Sequence, residues 1–392
     1  MNINKKKIRV LGKGLTAKAI LDKFPNAILY DDKDFNNYDL SSNEITVVSP
    51  GIPPYNEMVK QSSNIQSDYD LFFDVMPFSI WISGTNGKTT TTQMTQHILE
   101  SKQSIYGGNI GVPLSHLDEK AKIWILETSS FTLHYTNKAK PNLYILLPIS
   151  EDHITWHGSY EEYKNAKLKP LDNMKEDDIA IIPNLFQSYK TSAKVITYEN
   201  SDELCEKFNI NKNDIKFKEP FLLDAILALC TKKILFDEID YEKINTFKID
   251  EHKVEEFYDS FNRLWINDSK ATNVDATINA IVPYKDKNIH IILGGDDKGA
   301  NLLPLFENIK KLNITIYAIG SNSKKLISYA KEFNIKIIEC NYLNNAVNKI
   351  AKTMSQDSVA ILSPAAASLD QFTSYAQRGK EFKNLVNSLS IV

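Results

Sequence analysis

Along the chain, short apolar runs that end in glycine or polar residues alternate with stretches of helical spacing. Strands buried on both faces need continuous apolar side chains and helical crossovers between them, so this alternation predicts parallel α/β sheets. KIRVLGKGLTAKAILDKF predicts strand, glycine turn and helix. AILYDD and ITVVSPGIP predict two further strands, in a unit that closes near Met76 and Pro77. A second unit opens on FSIWISG and continues through KIWILETSSF, PNLYILLPIS and DIAIIPN. Residues 217–250 carry a helical apolar pattern followed by a polar connection. LWINDS, IHIILGGDDKG, ITIYAIG, IKIIEC and SVAILSPAAAS then give strands of a third unit. Three α/β domains are expected, over residues 1–77, 78–249 and 250–392.

Composition narrows the function more than the fold. A chain of 392 residues exceeds a single ordinary core, in line with several domains. Lys and Arg total 46 against 49 Asp and Glu, for a net charge of −3, which argues against broad binding to nucleic acid or anionic membranes. Cys205, Cys230 and Cys340 lie far apart without metal-type spacing and read as reduced, buried thiols. No apolar run is long enough for a membrane span, and the start lacks a signal-peptide pattern, so a cytoplasmic protein is expected.

The densest chemistry lies in SGTNGKTTTT, residues 83–92. A common phosphate-binding loop has a glycine five positions before the Gly-Lys pair; Ile82 stands there instead. Gly84 and Gly87 still allow close backbone approach, and the N–H groups at a helix start can hold phosphate oxygens. Lys88 can neutralise outer phosphates, and Thr89 or Thr90 can offer a hydroxyl to Mg²⁺. The competing reading is a Gly/Thr turn that binds nothing. Glu127 ends a strand in LETSSF, and His153 follows the next strand. A carboxylate suits Mg²⁺ and an imidazole is a less usual ligand, although taken alone Glu127 reads more often as a helix-start or solvated residue. Lys167 reads alone as an ordinary helix-surface lysine. WINDSKATN places Asn267, Asp268, Lys270, Thr272 and Asn273 after a strand, where α/β domains bind ligands; a helix cap by Asp268 or Ser269 would also explain it. ILGGDDKG adds Gly294, Gly295 and Lys298, and LSPAAASLDQFTSYAQRGKEF adds Ser363, Ser368, Tyr375 and Arg378.

The compact loop resembles the ATP-binding loop of the Mur ligases and their folylpolyglutamate synthetase relatives, which join an amino acid to a carboxylate. The resemblance covers essentially the whole chain in order. It implies a Rossmann-like UDP-binding domain, a central P-loop ATPase domain with a parallel sheet, and a C-terminal Rossmann-like domain. By this resemblance ATP would meet Gly84, Thr85, Asn86, Gly87, Lys88, Thr89 and Thr90, together with Asp224, Lys253, Asp268 and Lys270. Mg²⁺ would occupy two sites drawing on Thr89, Glu127, His153 and Lys167, the lysine being carbamylated by CO₂. Lys88, His153 and Lys167 would carry catalysis. The UDP-substrate would meet Leu15, Thr16, Asp31, Asp32, Ser49, Gly51, Asn109 and His153.

The C-terminal segments are similar to the NDSKATN, LGGDGK and LSPAxASxDxFxxFxxRGxxF patterns of family members that add D-glutamate to UDP-N-acetylmuramoyl-L-alanine. Thr272, Lys298, Ser368, Leu369 and Tyr375 would then hold D-glutamate. The resemblance implies an ATP-dependent ligase of cytoplasmic peptidoglycan precursor synthesis, working as a monomer through an acyl phosphate on small-molecule substrates. The chain departs from the pattern at Thr155 (often Asp), at Phe221 and Asp224 (both Asn), and at Lys253 (Arg). It departs again at Asp297 (Gly) and Tyr375 (often Phe). The alternatives are a sibling ligase using another amino acid, a folylpolyglutamate synthetase, which should lack a UDP-binding first domain, and a nucleotide-binding regulator without ligation.

Overall fold

The computed structural model describes residues 7–31, 33, 35–39 and 44–389. The first apolar runs become β1 (Ile8–Leu11), β2 (Ile28–Tyr30), β3 (Ile45–Val48) and β4 (Ile65–Gln66). They form a parallel sheet in the order β2-β1-β3-β4. The next strands are β5 (Phe78–Ser83), β6 (Ser104–Gly108), β7 (Ile123–Glu127), β8 (Leu143–Leu146), β9 (Ile179–Pro183) and β10 (Lys194–Tyr198). These make a second parallel sheet, β10-β9-β8-β5-β7-β6. The last are β11 (Glu255–Tyr258), β12 (Leu264–Asn267), β13 (Asn288–Leu293), β14 (Ile314–Ile319), β15 (Lys336–Asn341) and β16 (Ser358–Leu362). Their order is β11-β12-β16-β13-β14-β15, parallel except for the antiparallel edge strand β11.

Four strands were not among those expected from the pattern: β4, β6, β10 and β11. All four are sheet edges. An edge strand is covered on fewer sides and loses the continuous apolar run; β11, for example, alternates half-buried and exposed positions. The central strands keep that run: β7 and β8 are buried at every position. Cys205, Cys230 and Cys340 are buried and unpaired.

The chain divides into two compact units, Met1–Phe247 and Lys248–Val392. The first unit therefore carries two sheets. They share one core, in which Val10, Tyr69 and Phe72 lie with Trp81, Trp124 and Leu126. Tyr69 meets Trp81 edge-on at 4.7 Å between ring centres, and its hydroxyl donates to the Glu127 carbonyl at 3.1 Å. Asp70, fully buried, accepts the backbone N–H groups of Asn137 (2.7 Å), Lys138 (2.9 Å) and Ala139 (2.8 Å). One carboxylate thus satisfies three amides of a loop after the helix Ser130–Tyr135. Replacing Asp70 with Ala strands those donors in a buried site, and about 2–4 kcal/mol of stability should be lost in urea unfolding. A loss below roughly 0.5 kcal/mol would show that the joint does not depend on this carboxylate.

Candidate active site

β5 lies at the middle of the second sheet between β8 and β7, so the loop after Ser83 emerges beside the ends of both neighbours. Gly84 and Gly87 have φ of +142° and +84°, a region that side chains rarely enter. Space forbids a side chain as well. A Cβ on Gly84 would lie 2.4 Å from Leu147 Cβ, and one on Gly87 would lie 2.7 Å from Asp224 Oδ1. The helix Lys88–Leu99 then begins with no acidic residue in its first turn, leaving its amide end attractive to anions. Lys88 Nζ bends back to donate to the carbonyls of Gly84 (3.0 Å) and Thr85 (2.7 Å), so its charge sits over the loop. Thr85 Oγ1 bonds Ser150 and lies 2.9 Å from the Tyr163 hydroxyl, tying the loop to the segment after β8. Thr91 Oγ1 donates to Asp224 Oδ1 at 2.7 Å; Asp224 belongs to the first turn of the helix Phe221–Phe236.

Glu127, the last residue of β7, is buried and accepts from Thr89 Oγ1 (2.8 Å) and Asn109 Nδ2 (2.6 Å). Both donors are neutral, so these bonds leave the carboxylate charge in place for a cation. Lys167 is not on the surface: on the helix Tyr160–Leu168 it is 1% exposed. Its Nζ donates to Gly84 O at 2.7 Å and lies 4.9 Å from the Tyr163 ring centre. Burial, and then the charge of Lys88, hold its amine well below the usual lysine range, against the opposing pull of Asp152 and Glu127. His153 adopts a left-handed backbone (φ +54°) with its ring edge-on to Phe131 at 4.7 Å and its Nε2 3.7 Å from Asp152 Oδ2. His157 is buried beside them, 3.0 Å from Ser130 Oγ, and burial drives its imidazole down to about 3.

These residues fit Mg²⁺ with nucleotide phosphates. Mg²⁺ keeps waters and phosphate oxygens and needs only one or two protein carboxylates. Among the described residues no three His, Cys, Asp or Glu side chains form a full protein cage for a metal. One buried carboxylate beside a hydroxyl and a glycine loop is the donor set that chemistry requires.

In the first sheet the expected residues sit in the turns after β1, β2 and β3. Leu15 opens the helix Leu15–Lys23 and is 78% exposed, with Thr16 next to it. Asp31 pairs with Lys13 at 2.7 Å, an exposed contact that lowers its carboxyl. Ser49 Oγ is buried without a partner among the described residues, two positions before Gly51. Asp32 lies outside the described residues. Asn109, expected near the UDP-substrate, has its amide on Glu127.

In the third sheet, β12, β16 and β13 are parallel neighbours, so NDSK, LSPAAAS and LGGDDKG meet at one end. Asp268 is buried, accepting from Ser363 Oγ (2.7 Å) and the Val254 amide (3.1 Å). Burial raises its carboxyl to about 7, against the pull of Ser363, Val254 and Arg378. Neither Asp268 nor Ser269 caps the next helix, as one reading of the sequence had it. Asn273 does, accepting from Ala276 N at 2.9 Å before Val274–Ile281. Lys270 Nζ lies 4.6 Å from the Tyr375 ring centre, and Arg378 staples Ser269 to Ala366. Reciprocal backbone bonds between Asp296 and Ala367 (3.0 and 2.8 Å) set the loop of Lys298 against that of Ser368 and Leu369. Lys298, Leu369 and Thr272 are exposed and Ser368 is buried. Lys253 pairs with Asp250 at 2.9 Å. The sequence reading missed Thr91, Asp152, His157, Asn322 and Lys325; Thr91 lies inside SGTNGKTTTT itself, but its partner Asp224 is far away in sequence.

Residues 82–222 match the Mur ligase middle domain. The chain is 50% identical to the UDP-N-acetylmuramoylalanine–D-glutamate ligase of Campylobacter jejuni strain 81-176, covering 98% of this chain and 100% of the relative. The chain belongs to this ligase family. It is also 45% identical to the UDP-N-acetylmuramoylalanine–D-glutamate ligase of Helicobacter pylori strain 26695, over 92% of this chain and 89% of that one. Among solved structures, the MurF ligase of Thermotoga maritima in complex with ADP shares the fold, with a TM-score of 0.61 at 14% identity over 98% of this chain and 96% of that one. The three-sheet α/β architecture is thus that of the Mur ligases. No helix among the described residues is long and apolar enough to cross a membrane.

For this Mur ligase the loop geometry yields a direct expectation. Gly87→Ala must place a methyl against Asp224 Oδ1 at a positive φ, so calorimetry should show ATP affinity reduced about tenfold or more, in protein that stays folded by circular dichroism. Unchanged affinity would mean that the loop relaxes without consequence for the phosphates.

Proposed function

We propose that this chain joins D-glutamate to UDP-N-acetylmuramoyl-L-alanine with turnover of ATP, in peptidoglycan precursor synthesis. The observation that carries the mechanism is a buried lysine, Lys167, lying under a phosphate loop beside the buried carboxylate Glu127. In this reading residues 1–77 bind the UDP-substrate, 78–249 bind ATP and 250–392 bind the amino acid, in a cytoplasmic monomer. Leu15, Thr16, Asp31, Asp32, Ser49, Gly51 and Asn109 are assigned to the UDP-substrate. Residues 84–90 with Asp224, Lys253, Asp268 and Lys270 are assigned to ATP, and Thr272, Lys298, Ser368, Leu369 and Tyr375 to D-glutamate.

A carboxylate is a poor acyl donor because its leaving group is oxide. Attack by the terminal alanine carboxylate on the γ-phosphorus forms an acyl phosphate and releases ADP. The amine of D-glutamate then attacks the acyl carbon, and the tetrahedral intermediate expels phosphate. The chain's task is to hold the reactants and neutralise charge in a pocket poor in water. Lys88 lies over the loop where outer phosphates would sit. Thr89 and Glu127 would hold Mg²⁺, with His153 and Lys167 at a second site; bound Mg²⁺ supplies charge neutralisation on the phosphates. Only when off the metal would His153, with its acceptor nitrogen free, serve as the base for the amine proton.

Lys167 favours carbamylation for a physical reason. Only the neutral amine attacks CO₂, and burial together with Lys88 shifts this amine toward its neutral form. The carbamate is an anion, which Lys88 then favours. As pH falls through the lowered amine pKa, the amine protonates and the carbamate is lost, so activity should fall on acidification and recover with added bicarbonate. ¹³C-labelled CO₂ should give a carbamate signal that Lys167→Arg abolishes along with most activity, on the order of 10²-fold. A fully active enzyme without that signal would remove the carbamate from the mechanism.

The reaction itself is tested by phosphate release with ATP, Mg²⁺ and UDP-N-acetylmuramoyl-L-alanine while the amino acid is varied. Release that requires D-glutamate, with the matching mass gain on the UDP product, is expected. Release with another amino acid would move the specificity to a sibling ligase. Silence from folded, ATP-binding protein would favour a non-catalytic regulator.

A further inference from the structure

We propose that Asp297 works with Lys325 as a positioning pair that sets affinity for the amino-acid substrate. The proposal rests on the assignment of Lys298 to a D-glutamate carboxylate. Lys298 is held at φ +49°, a conformation that costs a non-glycine residue about 1–2 kcal/mol unless its surroundings impose it. The surroundings are two successive turns. Asp296 Oδ1 accepts from Lys298 N at 3.0 Å, and Asp297 Oδ1 accepts from Gly299 N at 2.9 Å. The other oxygen of Asp297 reaches the helix Ser323–Glu332 and the residue before it, accepting from Lys325 Nζ (3.0 Å) and Asn322 Nδ2 (3.2 Å). Asn322 also accepts the Gly295 amide through its Oδ1 at 3.1 Å, so the brace closes on the glycine turn of the same loop. The other side of the loop is fixed by the Asp296 and Ala367 backbone pair.

Asp297 carries a second consequence. A carboxylate next to a lysine that receives an anion would repel that anion and draw on the lysine's charge. The Asp297 side chain is 11% exposed, so water screens it poorly, and Lys325 supplies the missing countercharge. The pair is therefore a self-neutralised brace: the aspartate shapes the loop, and the lysine keeps it from rejecting a dianionic substrate.

This makes the two residues unequal, as a purely structural contact would not. Lys325→Met, which keeps the aliphatic stem, should raise KM for D-glutamate about tenfold with KM for ATP and the melting temperature nearly unchanged. Raising the salt concentration should shrink that defect. Asp297→Gly alone should raise KM only about two- to threefold, and Asp297→Gly combined with Lys325→Met should bind D-glutamate better than Lys325→Met alone. A double variant no better than Lys325→Met, or parallel rises in KM for D-glutamate and ATP with a falling melting temperature, would overturn the proposal. Lys298→Ala separates the premise from the inference. If it leaves KM for D-glutamate unchanged, the assignment of Lys298 fails and the proposal falls with it; if it raises KM while Lys325→Met does not, only the neutralised brace is wrong.

Discussion

An ammonium group taken out of water loses several kcal/mol of hydration unless it is paired, relieved of its proton or converted chemically. Lys167 faces that constraint directly, since it is 1% exposed and its nearest acceptor is the carbonyl of Gly84. The carbonyl can point at it because Gly84 takes a φ closed to other residues, and Leu147 packs where a side chain would be. Tyr163, one turn before Lys167, covers the amine with its ring and bonds Thr85, the next residue of the same loop, through its hydroxyl. Lys88 faces the loop carbonyls from the other direction. Two lysines thus converge on one short backbone segment, and their mutual repulsion favours a neutral amine at the buried one. An anion on Lys167 would turn the repulsion from Lys88 into attraction, which offsets the cost of burying its charge.

The remaining parts of the first unit support that arrangement. Glu127 ends the strand next to β5, and its backbone carbonyl is bonded to Tyr69 from the region of the first sheet. Its side chain is oriented by Thr89 and Asn109, one on either oxygen. Each partner comes from a different strand-to-helix or strand-to-loop junction, so the carboxylate's position depends on the sheet register rather than on any one loop. The shared core and the three amides bound to Asp70 make the first two sheets a single body on which such a register can be held. The third sheet repeats the principle by itself, with three adjacent parallel strands delivering Asp268, Ser363 and Gly294 to one end.

What could be read from the sequence was whatever is local. Central strands carry continuous apolar runs, and the Gly-Lys-Thr spacing of the loop is contiguous, so both were legible. The edge strands β4, β6, β10 and β11 were not, because their signal is divided between a core face and an open one. Lys167 is the sharper case. Nothing in the residues around it separates a surface lysine from a buried one; its amine is held by Ser83 and Gly84, far away in sequence. The cap at Asn273 was misplaced for the opposite reason: Asp268 and Ser269 have good capping chemistry, but Asp268 is occupied by Ser363 and the Val254 amide, and Arg378 holds Ser269.

The departures from the family pattern look different once their partners are known. Asp224 stands where asparagine is usual and lacks an amide donor, yet its neighbour is Thr91, a hydroxyl that donates. An acceptor-only side chain is what that hydroxyl needs, and the amide end of the helix Lys88–Leu99 favours a negative charge. Asp297 stands where glycine is usual, and Lys325 meets it. In both places the carboxylate is matched by a donor in the first turn of another helix. A substitution judged alone counts as a lost contact; judged with its partner it is a relocated one. Each relocated contact supports a loop, the phosphate loop in one unit and the Lys298 loop in the other. Two carboxylates thus help to hold the loops that carry Lys88 and Lys298, two of the charged groups assigned to the chemistry.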